Sequence, residues 1–266
     1  MSPSTSSGRF DPIRISLWVL AILTMIFLVA PILVIVVVSF NDSALFEFPP
    51  SSWSLRWYAQ LLNSESWREA GIMSLWLGVV VTVCALLIGV PAAYAIVRGD
   101  FPGRGILEGI LISPMVLPVV VLALGLYLLF AKVGLIGTPL ALVLAHTLLA
   151  LPLVVVIVGA AFRRTDHSLE LAARSCGASF PKALILVVLP QVRPAILSAG
   201  IFAFLTSFDE VVLTLFLGSA RTPTIPKKIW EAIKFELDPS LTAISTILIV
   251  ISITALMLSH LLRKGR

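Results

Sequence analysis

Asp209 and Glu210 stand side by side within an otherwise apolar run, Pro194 to Ala220. An ionised side chain at the centre of a hydrocarbon layer costs about 2.5 to 3.5 kcal/mol on insertion scales, so such residues line a water-filled path or pair with a partner. Neighbours on a helix point about 100° apart, which lets only one of the two face a path directly. Phe202, Phe204, Phe208 and Phe216 surround the pair, and aromatic faces attract ammonium groups. The patch suits transient contact with a passing organic cation. Pairing with backbone or with a second polypeptide is the competing reading. His146, in another apolar run, is either a proton relay or a ring satisfied by a neighbouring helix.

No other residues have the spacing of catalysis. The chain contains no Gly-Lys pair, so it has no phosphate-binding loop of the kind that hydrolyses ATP. His146, His167 and His260 lie far apart, and Cys84 and Cys176 are unpaired, which excludes the usual metal spacings. No nucleophile, base and orienter form a set. The expectation is a chain with no catalytic residue, no metal and no cofactor of its own.

The elements that position these groups must cross a membrane. Hydrophobic residues make up 59% of the 266 and charged residues 12%, and mean hydropathy is +1.06, far outside the range of soluble domains. A helix needs about 20 apolar residues to span about 30 Å of hydrocarbon. Ile15 to Phe40, Ala70 to Val97, Gly109 to Ala131, Val133 to Phe162 and Pro239 to Leu262 qualify, and Pro194 to Ala220 makes a sixth once Asp209 and Glu210 are tolerated. Pro114 and Pro118 permit a kink in the third. The apolar piece Ala183 to Val192, between Lys182 and Arg193, is too short to cross and reads as a buried or interfacial segment.

The predicted fold is therefore an all-α integral membrane protein of six transmembrane helices, with both termini on one side. Residues 15–262 form one transmembrane domain, 1–14 a disordered tail that opens rich in Ser and Gly, and 263–266 a short second tail. The first run is too long for a signal-peptide core and is expected to remain as a span. With both termini inside, twelve of the Lys and Arg residues fall in inner segments and seven in outer loops, which makes the termini cytoplasmic. The net charge of +5 follows from this asymmetry, and no basic face with interleaved aromatics points to nucleic acid.

A polar insert, residues 163–193, separates the fourth and fifth spans. Ser168 to Cys176 reads as a short helix: a Ser or Asp start, then Leu, Glu, Leu, Ala, Ala and Arg, then Gly177 where a left-handed cap is allowed. Ala172 and Ala173 permit close approach by a partner. Pro181 begins a second helix, and Pro190 and Pro194 are expected to interrupt the apolar run before the fifth span, giving a bent approach to the membrane. Such an elbow carries force.

The insert resembles the cytoplasmic signature of ATP-binding-cassette importer permeases, Glu-Ala-Ala, three residues, Gly, nine residues, Ile, one residue, Leu-Pro. Ala172, Ala173, Gly177, Leu189 and Pro190 match at the right spacing, whereas Leu171 stands in place of Glu and Val187 in place of Ile. Glu170, one residue earlier, is about 100° away around a helix and is no automatic substitute. The segments Phe204 to Val212, Thr224 to Pro226, Ile229-Trp230, Asp238-Pro239 and Ala243 to Thr246 are similar to the second permease of spermidine/putrescine importers.

The resemblance implies a type I importer permease of the bacterial inner membrane, embedded in lipid, whose coupling helix sits in a groove of an ATPase subunit. Its implied partners are a homologous permease, two ATPases that bind the ATP and Mg, and an extracytoplasmic solute-binding protein. The implied ATPase-coupling residues are Glu170, Leu171, Ala172, Ala173, Gly177, Leu189 and Pro190. The candidates for the substrate pathway are Asp209, Glu210, Phe208 and Phe204. A polyamine is the expected cargo. Another small solute, such as an amino-acid derivative or an opine, is the alternative within the family, and a proton-coupled carrier using Asp209, Glu210 and His146 the alternative from outside it.

Two outer features remain. Ile225, Ile229 and Ile233 fall at four-residue intervals beside Trp230, one apolar stripe that could rest on the membrane interface, with Lys227, Lys228 and Glu231 left for a partner. Trp53, Trp57 and Trp67 of the first outer loop read as interfacial anchors.

Overall fold

A computed structural model describes residues 12–43, 47–235 and 239–264. Every regular element among them is helical: α1 (Pro12–Val38), α2 (Arg56–Asn63), α3 (Glu65–Arg98), α4 (Arg104–Val116), α5 (Val119–Lys132), α6 (Pro139–Arg164), α7 (His167–Ser175), α8 (Phe180–Ala183), a π-helical turn (Leu184–Val188), α9 (Leu189–Phe208), α10 (Val212–Leu217), α11 (Ile225–Phe235) and α12 (Ser240–Lys264). The expected tail at 1–14 is helical from Pro12; residues 1–11 and 265–266 lie outside the described residues.

Among the described residues, Ser16–Val38, α3, α6 and the continuous stretch Phe180–Phe208 are long and apolar enough to cross a membrane, and α4 with α5 makes a fifth if that bent pair is one span. The last predicted run falls in α12, of which Ser240–Thr254 is an apolar stretch. Close contacts divide the chain into two compact units. One takes in α1, the loop after it, most of α2 and the start of α12; the other holds α3 through α11 and the rest of α12. In the first, the Trp57 indole N–H donates to the Asn41 carbonyl at 2.7 Å, both residues being buried, so Trp57 packs inside a fold where an interfacial anchor was expected.

The second unit is built on α3, α6 and α9. Small residues allow the close approach that helices need where water cannot drive them together. A Cβ at Gly89 would lie 2.9 Å from the Cβ of Val154, and Ala85, Ala93, Ala145, Ala150, Ala199 and Ala203 are fully buried in the same core. The ends of α3 suit its dipole, with Glu65 in the first turn and Arg98 in the last.

Two predicted spans are corrected. The third is no kinked rod, because α4 and α5 meet at 109°. Leu117 precedes Pro118, whose ring disfavours helical backbone in the residue before it; Leu117 is extended (ψ 137°), and Pro118 follows at ψ 128° before α5 begins.

The fifth run is displaced toward the N-terminus. Ala183 to Val192 is no separate segment, for helix runs unbroken from Phe180 to Phe208 and the span ends before Ala220. Pro190 and Pro194 do not interrupt it. Pro190 falls in the first turn of α9, directly after the π turn, and the Gln191 side-chain amide donates to the Val187 carbonyl at 2.8 Å. A π turn absorbs the residue that a proline would otherwise force out of register. The end of the polar insert, expected at 193, therefore falls inside one helix.

Candidate functional site: the α7 clamp and the acidic corner

Helix α7 starts where the Asp166 carboxylate accepts from the Ser168 backbone N–H at 2.8 Å. That hydrogen bond holds the Asp166 carboxyl below the usual range. The helix ends at Gly177, in left-handed backbone (φ 91°), with the Gly177 N–H donating to Arg174 and the Ala178 N–H to Ala173. Leu171 and Leu169 are half-exposed, Ala172 is exposed and Ala173 partly covered. Leu189 and Pro190 open α9, directly after the π turn, and are half-buried.

Glu170 does what its sequence position did not suggest. It is 3% exposed, and the Tyr94 hydroxyl of α3 donates to its Oε1 at 2.7 Å. His167 Nδ1 lies 3.5 Å from Oε2, an ion pair when the ring is protonated. Tyr94 packs edge-on against Phe162 and against Phe180, so α3, α6, α7 and α8 meet around one ring. One turn on, an Arg98 guanidinium N–H₂ donates to the Phe162 carbonyl (2.9 Å), the Thr165 carbonyl (2.6 Å) and the Thr165 hydroxyl (2.8 Å). The Phe162 carbonyl, in the last turn of α6, also accepts from the Thr165 backbone N–H and hydroxyl, and the cation adds a charged donor to this helix end.

Glu170, expected among the ATPase-coupling residues, has its carboxylate turned into the chain's own core. Tyr94, Arg98, His167 and Thr165 escaped sequence reasoning. The only available signal was a tyrosine and an arginine in the last two turns of an apolar run, where two polar groups on one helix face call for partners.

The second candidate site is a corner between α9 and α10. α9 stops at Phe208; Asp209 and Glu210 lie in the break rather than within a helix, which corrects the predicted span. Asp209 is exposed. Glu210 is half-buried, and its Oε1 accepts from the Leu213 backbone N–H at 3.0 Å, serving the start of α10. Phe204 and Phe208 stack at 5.2 Å, but Phe208 is buried, and Phe204 packs on Gly78 and borders an apolar groove of about 350 Å³ between α3 and α9. The predicted acidic and aromatic patch is thus divided: Asp209 alone of the four presents its polar group to the outside.

His146 of α6 closes the corner from behind. It is 1% exposed, with Nδ1 3.0 Å from the Ser207 hydroxyl on α9 and Nε2 3.3 Å from the Thr214 hydroxyl on α10. Thr214 also donates to the Glu210 carbonyl. The ring therefore pins both sides of the break that holds Asp209. The α7 residues and the corner residues are not brought together.

In α11 the predicted stripe divides as well. Ile225 is buried, its N–H donating to Ser74 of α3 at 2.8 Å, whereas Ile233 and Trp230 are exposed and Lys234 lies 4.8 Å from the Trp230 ring.

Comparison with known proteins decides the class. The family described as binding-protein-dependent transport system inner membrane component matches residues 85–264. The chain belongs to that family. Among its relatives is the putrescine transport system permease protein PotI of Escherichia coli K12, 32% identical over 90% of this chain and 88% of that protein. The spermidine/putrescine transport system permease protein PotC of the same organism is 31% identical over 90% of each chain. The fold is shared with a bacterial ATP-binding-cassette transporter involved in import of the acidic polysaccharide alginate, at TM-score 0.70 and 19% identity over 99% of both chains. An amino acid transporter of the same class gives 0.59 and 21% over 77% of this chain and 96% of the other. This family member is an importer permease and a multi-pass membrane protein of apolar helices.

Proposed function

We propose that the chain is one of two homologous permeases of an ATP-driven polyamine importer in a bacterial inner membrane, crossing it six times with both termini cytoplasmic. Likeness over nine-tenths of the chain to permeases of putrescine and spermidine carries the reading. The excess of Lys and Arg on the α6–α7 side supports the orientation, since inner loops carry such residues. In this reading α7 seats in an ATPase subunit that binds ATP and Mg²⁺, presenting Leu171, Ala172, Ala173 and Gly177, and a solute-binding protein delivers cargo on the opposite side.

Closure of the ATPase pair pushes α7. The push reaches α9 through α8 and the π turn, which are continuous with it, and α9 ends at Asp209. A polyamine carries ammonium groups, and an exposed carboxylate at the end of a moving helix gives them a transient partner in the path. Glu210 is occupied with α10 and takes no direct part.

The test is reconstitution of the complex in lipid with its binding protein. Putrescine- or spermidine-loaded binding protein is expected to stimulate ATP hydrolysis and drive uptake, and Asp209→Asn to lower uptake about fivefold, the scale of one hydrated ion pair. Equal uptake by Asp209→Asn, or uptake by the purified chain alone on a proton gradient without ATP, contradicts the reading.

A further inference from the structure

The geometry points to Glu170 and Tyr94 as the latch that joins the α7 lever to α3, so that a push on α7 reaches α3 as well as the spans with which α7 is covalently continuous. The inference rests on the reading of α7 as the coupling helix. A carboxylate 3% exposed, on a nine-residue helix with no other buried residue, loses hydration and gains only what its fixed partners return, so its place there specifies geometry more than it adds stability.

The partner is equally specific. Tyr94 reaches across 76 residues of sequence to place its hydroxyl 2.7 Å from Oε1, and its ring is wedged between Phe162 at the end of α6 and Phe180 at the start of α8. The chain between α6 and α7 is short, and Arg98, four residues after Tyr94 on the same helix, holds its carbonyls. Both ends of the α6–α7 turn are therefore fastened to α3. Covalent continuity already joins α7 to α9; this latch supplies the second linkage, which no covalent path provides.

Tyr94 and Glu170 act as positioning residues, since neither is exposed to a partner. Tyr94→Phe removes one hydroxyl and leaves the ring packing in place. Glu170→Ala removes the acceptor, and Glu170→Gln keeps a side-chain oxygen that can still accept from Tyr94. In the complete reconstituted complex, the quantity to measure is polyamine taken up per ATP hydrolysed, beside the binding of ATPase subunits to the permease pair.

Tyr94→Phe and Glu170→Ala are expected to assemble normally and hydrolyse ATP while uptake per ATP falls about tenfold, the scale of a lost hydrogen bond to a charged group. The double variant is expected to be no worse than either single one, and Glu170→Gln to retain most of the transport. An unchanged ratio in both single variants, or losses that multiply in the double variant, overturns the latch. Leu171→Arg separates this from the underlying reading. If α7 docks in the ATPase, that substitution on its exposed face prevents assembly; if assembly survives, α7 is no coupling helix and the latch falls with it.

Discussion

The two ends of α6 are fastened by polar contacts of opposite character. Near Phe162 the fastening uses charged groups: Arg98 on three acceptors, and a buried Glu170 that accepts from Tyr94. Sixteen residues earlier, about 24 Å along the helix, His146 sits between two hydroxyls, Ser207 and Thr214. The difference lies in what each group does when its partner is lost. A serine or threonine on a helix turns its hydroxyl to a carbonyl three or four residues back, as Thr214 already does to Glu210. A buried carboxylate has no such fallback. The acidic corner can repair itself, and the α7 clamp cannot.

Arg98→Met breaks this contrast most severely if it is wrong. The substitution keeps the aliphatic stem and removes the cation from three acceptors, two of them carbonyls at the end of α6. Loss of about 2 kcal/mol is expected, read as a lower midpoint of thermal unfolding in detergent, with faster amide exchange confined to α7 and the α6–α7 turn. Exchange that rises evenly over the chain would mean that Arg98 supports the whole fold and not this joint.

His146→Leu is expected to do less, about 1 kcal/mol, because Ser207 and Thr214 recover bonds within their own helices and leucine fills a site that is almost fully buried. Its effect on uptake should exceed its effect on stability, since the break that presents Asp209 loses its pin. If His146→Leu unfolds the protein as readily as Arg98→Met, the hydroxyls have no fallback and the two regions are alike.

The same contrast explains what could be read from the chain. The short helix before Gly177 and the left-handed backbone at Gly177 depend on neighbours within a few residues, and the structure has them where local rules place them. The 109° turn at Leu117–Pro118 was legible only as a permitted kink, because the rule for a residue before proline gives the extended backbone but not the angle between the helices it joins. Pro190 misled, since a proline breaks an α-helix but is accommodated after a π turn. Glu170 was named for its place on the helix, but its burial was not foreseen. Its helix position is local information, whereas its burial depends on Tyr94, 76 residues away. The corner was half legible: two acids in an apolar run signal a special place, but which one is engaged is decided by the helix break.

The smallest effect belongs to Asp166, and it sharpens the contrast from the other side. Its carboxylate caps α7 through the Ser168 N–H, which holds its pKa below the ordinary value of about 3.9. A depressed folded value means that the cap contributes fully above the ordinary range and is lost as pH falls through the folded value. Asp166→Asn keeps an accepting oxygen without the charge and is a good cap itself. At neutral pH it should leave both the unfolding midpoint and uptake per ATP near those of the parent chain, while in acid the parent loses the contribution of this cap in addition to whatever the variant loses. Were Asp166→Asn at neutral pH to uncouple uptake from hydrolysis as strongly as Tyr94→Phe, then α7 would owe its placement to its own first turn. The tyrosine and arginine of α3 would in that case be bystanders to the lever they touch.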